Sequence, residues 1–272
     1  MMHTRKIPSS GEQLPVIGCG TYRGFDVGKA DHEPLHDVLD ALFSAGGSVV
    51  DSSPMYGKAE AVAGAVIASA SMRAKAFIAT KVWTRGREAG IAQMHESLRL
   101  LQTDRIDLMQ IHNLVDWRTH LATLRQWKEA GRIRYLGITH YTQSAFADLE
   151  AVMRAEPLDF VQLNYSAMDR AAERRLLPLA AERGIAVLVN YPLASGSAPR
   201  SVRGRPLPGW AAEIDCASWS QLLLKFVVSH PAVTCAIPGT GNPAHMRDNA
   251  SAGAGRMPDE TMRARIVAAL EG

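Results

Sequence analysis

The sequence has few cysteines and almost no excess of charge. Its three cysteines, Cys19, Cys216 and Cys235, lie far apart and form no CxxC pair. This distribution argues against a disulfide framework and against a thiolate zinc site, and it favours a reducing compartment. The formal net charge is only +3, and the arginines are scattered rather than grouped with aromatic residues. A nucleic-acid partner is therefore not expected.

A long hydrophobic run is also missing. The N-terminal segment Met1–Pro8 contains no apolar stretch of the kind that a secretory signal needs. No later run approaches the roughly 18 apolar residues of a membrane span. We therefore expect a cytoplasmic protein without a membrane partner. Because the strand pattern begins almost at the first residue, the sequence leaves open whether a leader precedes it.

The sequence does contain a regular alternation of strand and helix patterns. With 272 residues, 47% of them hydrophobic, the chain has the size of one α/β barrel. Short apolar strands recur with helical patterns between them, as in a buried parallel sheet. From His112, the later strand ends Thr139, Asn164 and Asn190 follow at intervals of 27, 25 and 26 residues. We predict a (β/α)8 TIM barrel that occupies residues 1–272 as a single domain.

Two segments depart from this alternation. Lys6–Pro15 has a Ser-Gly turn between two brief apolar pieces, which predicts an N-terminal β-hairpin that closes one end of the barrel. The stretch from Asn190 to Ile237 is longer than the others, and Ala194–Pro208 within it is rich in Ser, Gly, Pro and Arg. Such a loop lies on the active-site face, either as a phosphate contact or as a solvated basic loop. Its arginines are Arg200, Arg203 and Arg205.

Three strand ends carry residues that are able to exchange or steer a proton. They are Asp51, Lys81 and His112, at spacings of 30 and 31 residues, and Tyr56 follows Asp51 in the next turn. Parallel strands in successive βα units present their C-terminal ends on one face. Each residue alone is more typical of a helix cap, a surface group or a satisfied core group. Their shared position predicts that all four converge in one site.

Six short motifs, in this order, resemble those of the aldo-keto reductases. They are Gly18-Cys19-Gly20-Thr21, Asp51-Ser52-Ser53-Pro54-Met55-Tyr56-Gly57, Thr80-Lys81, Gln110-Ile111-His112, Gly137-Ile138-Thr139 and Ile237-Pro238-Gly239-Thr240. The resemblance spans nearly the whole chain. It implies an enzyme that uses NAD(P)H to reduce small aldehydes or ketones to alcohols, without a metal.

The residue types fit that chemistry. Hydride transfer to a carbonyl leaves an alkoxide, so Tyr56 is the predicted general acid. A free phenol has a pKa of about 10, and the ammonium of Lys81 beside it favours the phenolate. Asp51 would balance and orient Lys81, because a lysine inside a barrel mouth needs a partner. A neutral His112 would donate a hydrogen bond to the substrate carbonyl.

The resemblance also implies contacts with the nicotinamide. It places the nicotinamide amide against Thr139, His140 and Gln162, with Thr139-His140 where the family usually has Ser-Asn. The aromatic residue that commonly stacks on the ring aligns with Asn190, and Tyr191 is one position later. Neighbours in a strand face opposite ways, so stacking by Tyr191 requires that the strand has ended or bulged.

The adenosine end is expected in the segment from 237 to 249. Gly239 stands where the family usually has a lysine, and His245 where it has an arginine. A 2′-phosphate favours a fixed cation, so we expect NADPH from the resemblance, with NADH or dual use left open. The predicted contacts with this half of the cofactor are Ile237, Gly239, Thr240, His245, Asp248 and Asn249. Gly20 and Thr21 in strand one are also predicted to contact the cofactor.

The substrate side is less defined, and other functions stay open. Predicted pocket walls are Tyr22, Trp83, Asn113 and Trp117, although ordinary packing explains any one of them alone. A catalytically silent, nucleotide-binding regulatory barrel would show the same pattern. A metal-dependent hydrolase is disfavoured because strand one has Gly-Cys-Gly-Thr in place of an HxH ligand pair. The sequence has no heptads and no swapping arm, so a monomer is the default expectation.

Overall fold

The computed structural model describes residues 1–271, in which strands and helices alternate as predicted. The strands are β1 (Thr4–Lys6), β2 (Gln13–Pro15), β3 (Cys19–Gly20), β4 (Val49–Asp51), β5 (Phe77–Val82), β6 (Ile106–His112), β7 (Ile133–Thr139), β8 (Phe160–Asn164), β9 (Ala186–Asn190) and β10 (Cys235–Ala236). The α-helices are α1 (His32–Ser44), α2 (Ala59–Ile67), α3 (Ala70–Arg73), α4 (Arg87–Leu100), α5 (Trp117–Glu129), α6 (Phe146–Ala155), α7 (Leu176–Arg183), α8 (Ser197–Ser201), α9 (Trp219–Val228), α10 (Pro243–Ser251) and α11 (Glu260–Glu271).

The eight strands β3 to β10 form one parallel sheet that closes into a barrel. Each strand pairs with its neighbour in chain order. The parallel bridges from Ile17 to Ala236 and from Gly20 to Gly239 join the first and last strands of the sheet. Helices follow the strands on the outside, and this confirms the (β/α)8 barrel. Within the described residues 1–271, none of the helices has both the length and the apolar character needed to span a bilayer.

The N-terminal hairpin closes the end of the barrel opposite the strand C-termini. Strands β1 and β2 pair antiparallel, which confirms the predicted hairpin. Ile7 and Leu14 are 0% and 1% exposed, and they join the apolar cluster inside the barrel together with Phe160. The hydroxyl of Tyr135 donates to Glu12 Oε2 at 2.6 Å and so ties β7 to the hairpin turn. This end of the barrel is therefore filled with side chains.

Part of the long segment between β9 and β10 is hydrogen-bonded to the last helix, α11. It contains α8, a 3₁₀ segment at Gly209–Ile214 and α9. The guanidinium of Arg205 donates to Ala269 O at 2.7 Å and to Leu270 O at 3.3 Å. Arg205 therefore holds the end of α11, whereas Arg200 and Arg203 are exposed.

Gly64 in α2 lies directly against the backbone at the end of α4. A Cβ atom added there would lie 2.1 Å from Leu100 O and 2.8 Å from Leu101 Cα. Both atoms belong to the backbone, so the two helices would have to separate. We expect Gly64→Ala to lower the free energy of unfolding by about 3 kcal/mol, near the upper end for overpacking. Urea denaturation measures this change.

Gly209→Ala is the matched control for Gly64→Ala. A Cβ atom at Gly209 would have no heavy atom within 4 Å. The expected change in the free energy of unfolding is within about 0.5 kcal/mol. If both variants unfold at the same urea concentration, the close approach of Gly64 to Leu100 and Leu101 does not limit the size of the side chain at position 64.

Candidate active site

The four proton-steering residues lie together at the C-terminal end of the barrel. Asp51 ends β4, Lys81 lies one residue before the end of β5, and His112 ends β6. These three strands are neighbours in the sheet. Tyr56 comes from the turn between β4 and α2, and its ring centroid lies 5.7 Å from that of His112. The convergence predicted from the spacing is thus present, while the catalytic role of each residue remains a prediction.

Lys81 and Asp51 form a buried ion pair. Lys81 Nζ lies 2.6 Å from Asp51 Oδ2, and the two residues are 0% and 2% exposed. The same ammonium donates to Ser52 O at 2.7 Å. It also lies 5.0 Å from the ring centroid of Tyr56. A buried ammonium is stable only when paired and hydrogen-bonded, and Asp51 and Ser52 meet that requirement.

Burial and the charges in this cluster together move the pKa values of Tyr56 and Lys81. Burial raises the pKa of the Tyr56 phenol above its ordinary value, and the nearby Lys81 ammonium opposes that rise. Burial lowers the pKa of Lys81, but Asp51 and Tyr56 beside it outweigh burial, and the net direction is upward. Lys81 is therefore a cation and Tyr56 a protonated phenol at neutral pH. Lys81 limits the rise in the pKa of Tyr56 without reversing it.

His112 is held neutral and in one orientation. Its pKa is lowered to about 3, mainly by burial and further by the charge of Lys81. Ser53 Oγ lies 2.9 Å from His112 Nδ1, and Ser53 Oγ itself accepts from Met55 N at 3.2 Å. The Ser53 hydroxyl can donate its proton to His112 Nδ1, and in that assignment the ring carries its own proton on Nε2. A neutral imidazole with a free Nε2–H is a hydrogen-bond donor for a ligand.

A cavity of about 640 Å³ opens beside these residues. The sequence-predicted residues that line it are Gly20, Tyr22, Asp51, Tyr56, His112, Asn113, Thr139, Gln162, Asn190, Tyr191, Ile237, Gly239 and Thr240. Lys81 lies behind Asp51 and Tyr56 and is fully buried. Further lining residues that sequence reasoning did not identify are Arg23, Gly24, Met55, Tyr141, Pro192, Leu193, Ser195, Gly196 and Pro238. Most of these lie in irregular loops, where no periodic pattern marks them.

Two predicted substrate residues, Trp83 and Trp117, do not belong to the cavity lining among the described residues. Trp83 is 42% exposed, and its ring centroid lies 6.3 Å from that of His112. Trp117 begins α5, and its ring lies 4.3 Å from the guanidinium carbon of Arg118. Trp83 is therefore placed at the rim of the mouth, whereas Trp117 packs against the hydrophobic core.

Several predicted cofactor residues are engaged in bonds within the protein. Thr21 Oγ1 donates to Asp51 O at 3.0 Å. His140 Nδ1 accepts from Tyr141 N at 3.0 Å. Asp248 accepts from Ser218 Oγ and from Gln221 Nε2, both at 2.7 Å, and so joins α9 to α10. Asn249 is 5% exposed, whereas His245 is exposed on the first turn of α10.

Tyr191 enters the cavity because β9 ends one residue before it. The last residue of β9 is Asn190, and Tyr191 has a left-handed backbone with φ of 49°. The alternation of the strand no longer applies there, so Asn190 and Tyr191 both line the cavity. The ring of Tyr191 lies 6.2 Å from that of Tyr141 in an edge-on arrangement. The condition for Tyr191 to stack on a nicotinamide, a strand that has ended, is met.

The cavity wall has features that suit a dinucleotide. Asn190 Oδ1 is buried and, among residues 1–271, has no hydrogen-bond partner. A buried acceptor of this kind is normally satisfied, and the amide N–H groups of a nicotinamide would satisfy it. On the other side, a Cβ atom at Gly20 would lie 2.9 Å from Ile237 O. The wall formed by Gly20 and Gly239 is therefore bare backbone, which allows a ligand to approach closely.

The rim of the cavity is apolar. Apart from Met1, the large apolar side chains exposed in the described part of the chain all lie in loops that follow barrel strands. Exposed apolar groups gathered in one place mark a binding surface. The rim thus favours the uncharged body of a ligand. Its members are Tyr22, Met55, Trp83, Tyr141 and Met168.

Comparison with known proteins identifies relatives over the same span. The sequence model of the aldo/keto reductase family matches residues 16–270. The methylglyoxal reductase YeaE of Escherichia coli (strain K12) is 29% identical over 259 residues, which cover 92% of this chain and 89% of that protein. The methylglyoxal reductase DkgB of Yersinia pestis is 27% identical over 222 residues, which cover 79% of each chain. An aldo-keto reductase from Klebsiella pneumoniae, solved in complex with NADPH, has a TM-score of 0.82 at 24% identity, covering 98% of this chain and 94% of that one.

The family match, together with the barrel and the residues at its mouth, identifies an oxidoreductase. The chain belongs to the aldo/keto reductase family. This confirms the resemblance that the six sequence motifs indicated.

Proposed function

We propose that this chain reduces an aldehyde or ketone to an alcohol, with NADPH as the hydride donor and Tyr56 as the general acid. One arrangement carries the proposal: Lys81 Nζ lies 2.6 Å from Asp51 and 5.0 Å from the ring centroid of Tyr56, beside an open cavity. The solved relative from Klebsiella pneumoniae, which is in complex with NADPH, supports the choice of cofactor.

In the proposed reaction the carbonyl oxygen of the substrate lies between His112 and Tyr56. His112 donates its Nε2–H to that oxygen and orients the carbonyl. NADPH, when bound, supplies the hydride. As negative charge develops on the oxygen, Tyr56 transfers its proton to it. Lys81 stabilises the phenolate left behind, and Asp51 keeps the ammonium in place.

The cofactor would lie along the cavity wall already described. Thr139, Gln162 and Asn190 would hold the nicotinamide amide, and Tyr191 would stack on the ring. Thr139 Oγ1 donates to Gln162 Oε1 at 3.2 Å, which orients the amide of Gln162. The adenosine end would reach Thr240 and the first turn of α10.

The contact with a 2′-phosphate is proposed to lie at position 245. At Gly239, the other family position, a Cβ atom would lie 3.0 Å from Gly20 O. A lysine there would press on the backbone that closes the barrel. His245, in contrast, is exposed and lies on the first turn of α10. With no fixed arginine at either position, we propose that the chain prefers NADPH only weakly and also accepts NADH.

Replacing His245 by arginine tests the source of this weak preference. We expect His245→Arg to raise the ratio of NADPH to NADH affinity about fivefold, because a fixed cation adds roughly 1 kcal/mol toward the 2′-phosphate. Fluorescence titration with both nucleotides measures the ratio. Arg247→Gln is the control on the same helix, and its ratio should stay unchanged. An unchanged ratio in His245→Arg would place the 2′-phosphate elsewhere.

Nucleotide binding followed by turnover tests the function itself. NADPH and NADH are titrated in parallel against tryptophan fluorescence, since Trp83 lies beside His112. Turnover is then measured with methylglyoxal, because two relatives are named methylglyoxal reductases. Binding with turnover supports the proposal. Binding without turnover of this or any simple aldehyde would favour the silent regulatory barrel, and a lack of binding would remove the hydride source.

The remaining expectations are proposals of the same kind. We propose that the chain acts as one domain, as a monomer and in the cytoplasm. Sedimentation of the purified chain at assay concentration tests the monomer, because a dimer would double the measured mass.

A further inference from the structure

We propose that Gln110 is a positioning residue for the reduction and acts through Asp51. This inference rests on the proposed function. Gln110 lies on β6 and is 0% exposed. It is the Cα partner of Lys81 across the pairing of β5 with β6, so the two side chains emerge side by side into the barrel. Gln110 Nε2 donates to Asp51 Oδ1 at 3.0 Å.

The two oxygens of Asp51 have separate partners. Oδ2 faces Lys81 at 2.6 Å, and Oδ1 accepts from the side-chain amides of Gln110 and Gln162, both at 3.0 Å. Two donors on one oxygen fix the plane of the carboxylate and thereby aim the other oxygen at Lys81. They also disperse the negative charge of Asp51, and hydrogen bonds to a carboxylate favour its charged form.

That charged form matters because Lys81 must stay a cation to act on Tyr56. In a dry interior, an ammonium and a carboxylate can neutralise each other by passing one proton across the short hydrogen bond. The amide donors oppose this transfer, since they stabilise the carboxylate and not the neutral acid. Gln110 thus supports the charge on Lys81 without touching substrate or cofactor.

The other half of the Gln110 amide argues against a purely structural role. Gln110 Oε1 is buried and has no hydrogen-bond partner within residues 1–271. An unmatched buried acceptor destabilises a fold relative to an apolar side chain of similar size. Packing alone would therefore favour leucine at this position. A buried polar group that packing disfavours is expected to have a functional reason. The hydrogen bond from Gln110 to Asp51 is such a reason.

Gln110 and Gln162 also differ in their access to the cavity. Gln162 lines the cavity and is the proposed contact of the nicotinamide amide, whereas the cavity lining does not include Gln110 among the described residues. Removing the Gln110 amide should therefore weaken the support that Asp51 gives to Lys81 and Tyr56, and it should leave cofactor binding intact. The same change at Gln162 would disturb both.

The test replaces Gln110 by leucine in the full chain and follows three readouts. We expect kcat for methylglyoxal reduction to fall about tenfold, the worth of one hydrogen bond to a charged group. The NADPH dissociation constant should stay within twofold of wild type. The melting temperature should stay close to that of wild type, because the substitution removes both the unmatched acceptor and the donor to Asp51.

A pH profile distinguishes positioning from a structural effect. Alcohol oxidation, the reverse reaction, needs Tyr56 as a phenolate. In Gln110→Leu the negative charge of Asp51 is less dispersed, or Lys81 loses its proton to Asp51, and both changes raise the pKa of Tyr56. The profile of alcohol oxidation should therefore move to higher pH. A merely structural substitution would lower the amplitude of the profile without moving it.

Two further variants complete the experiment. Gln110→Glu keeps the size of the side chain but places a second carboxyl beside Asp51, so it should be at least as slow as Gln110→Leu, and it serves if Gln110→Leu does not fold. Met109→Leu, at the buried outward-facing position beside it, should match wild type. Wild-type kcat and pH profile in Gln110→Leu or in Gln110→Glu would overturn the inference. An inactive wild type would instead overturn the proposed function and the inference with it.

Discussion

Replacing Tyr56 by phenylalanine should lower the rate of carbonyl reduction about 10²- to 10⁴-fold, the range expected for loss of a general acid. Burial holds the phenol proton in place, and Tyr56 lies next to both Lys81 and His112. Phenylalanine keeps the ring and its packing but has no proton to give. The affinity for NADPH should remain nearly unchanged, because the hydroxyl is assigned to the substrate oxygen. Steady-state kinetics and a fluorescence titration measure the two quantities.

Tyr135→Phe is the matched control for Tyr56→Phe. Tyr135 is buried at the other end of the barrel, and its hydroxyl binds Ser10 and Glu12 in the hairpin. Loss of that hydroxyl should reduce stability by about 1 kcal/mol and leave turnover unchanged. If Tyr56→Phe turns over at a rate near wild type, Tyr56 is not the acid, and a solvent proton or another residue must be.

Replacing Lys81 by methionine should cost activity on a similar scale. Lys81 is the group that opposes the upward effect of burial on the pKa of Tyr56. Without it, that pKa rises further, so the phenolate left after proton transfer is less stable and reduction slows. Alcohol oxidation, which starts from the phenolate, should shift to higher pH. A wild-type rate and pH profile would contradict the role given to Lys81.

Loss of Lys81 also leaves Asp51 buried without its cation. Breaking one side of a buried ion pair typically destabilises by about 3–5 kcal/mol. The double variant Lys81→Met with Asp51→Asn should therefore recover stability while staying inactive. Lys225→Met is the comparison, because Lys225 is also 0% exposed but donates to Ile214 O and Arg256 O, at a distance from the cavity. It should lose stability and retain turnover once folded.

Much of the fold and of the candidate site follows from spacing. Strand and helix patterns that repeat at similar intervals predicted the barrel. Parallel strands need a crossover connection, which is usually a helix. The same repeat placed Asp51, Lys81 and His112 at one end. Strand boundaries were less predictable: Gly18-Cys19-Gly20-Thr21 was assigned to strand one, but β3 comprises only Cys19–Gly20. The glycines on either side of Cys19 provide little side-chain packing to extend it.

Features that depend on tertiary context could not be predicted. The entry of Tyr191 into the cavity depends on one left-handed residue, which sequence periodicity does not signal. The engagement of Asp248 by α9 requires the position of a distant helix. Gln110 follows the apolar pattern of a central strand, and nothing in one sequence shows that its amide reaches Asp51. Such contacts join residues that are far apart in the chain, so the local sequence pattern does not indicate them.

The left-handed residues at the mouth have a further consequence for engineering. Of the nine non-glycine residues with positive φ in the described chain, seven lie in loops that follow β3, β6 and β9. They are Arg23, Asn113, Leu114, Asp116, Tyr191, Ala194 and Ser195. Each such residue opposes folding by about 1 kcal/mol relative to glycine. The mouth is thus a part of the barrel where glycine substitutions should raise thermostability, but the same substitutions would loosen the walls of the cavity.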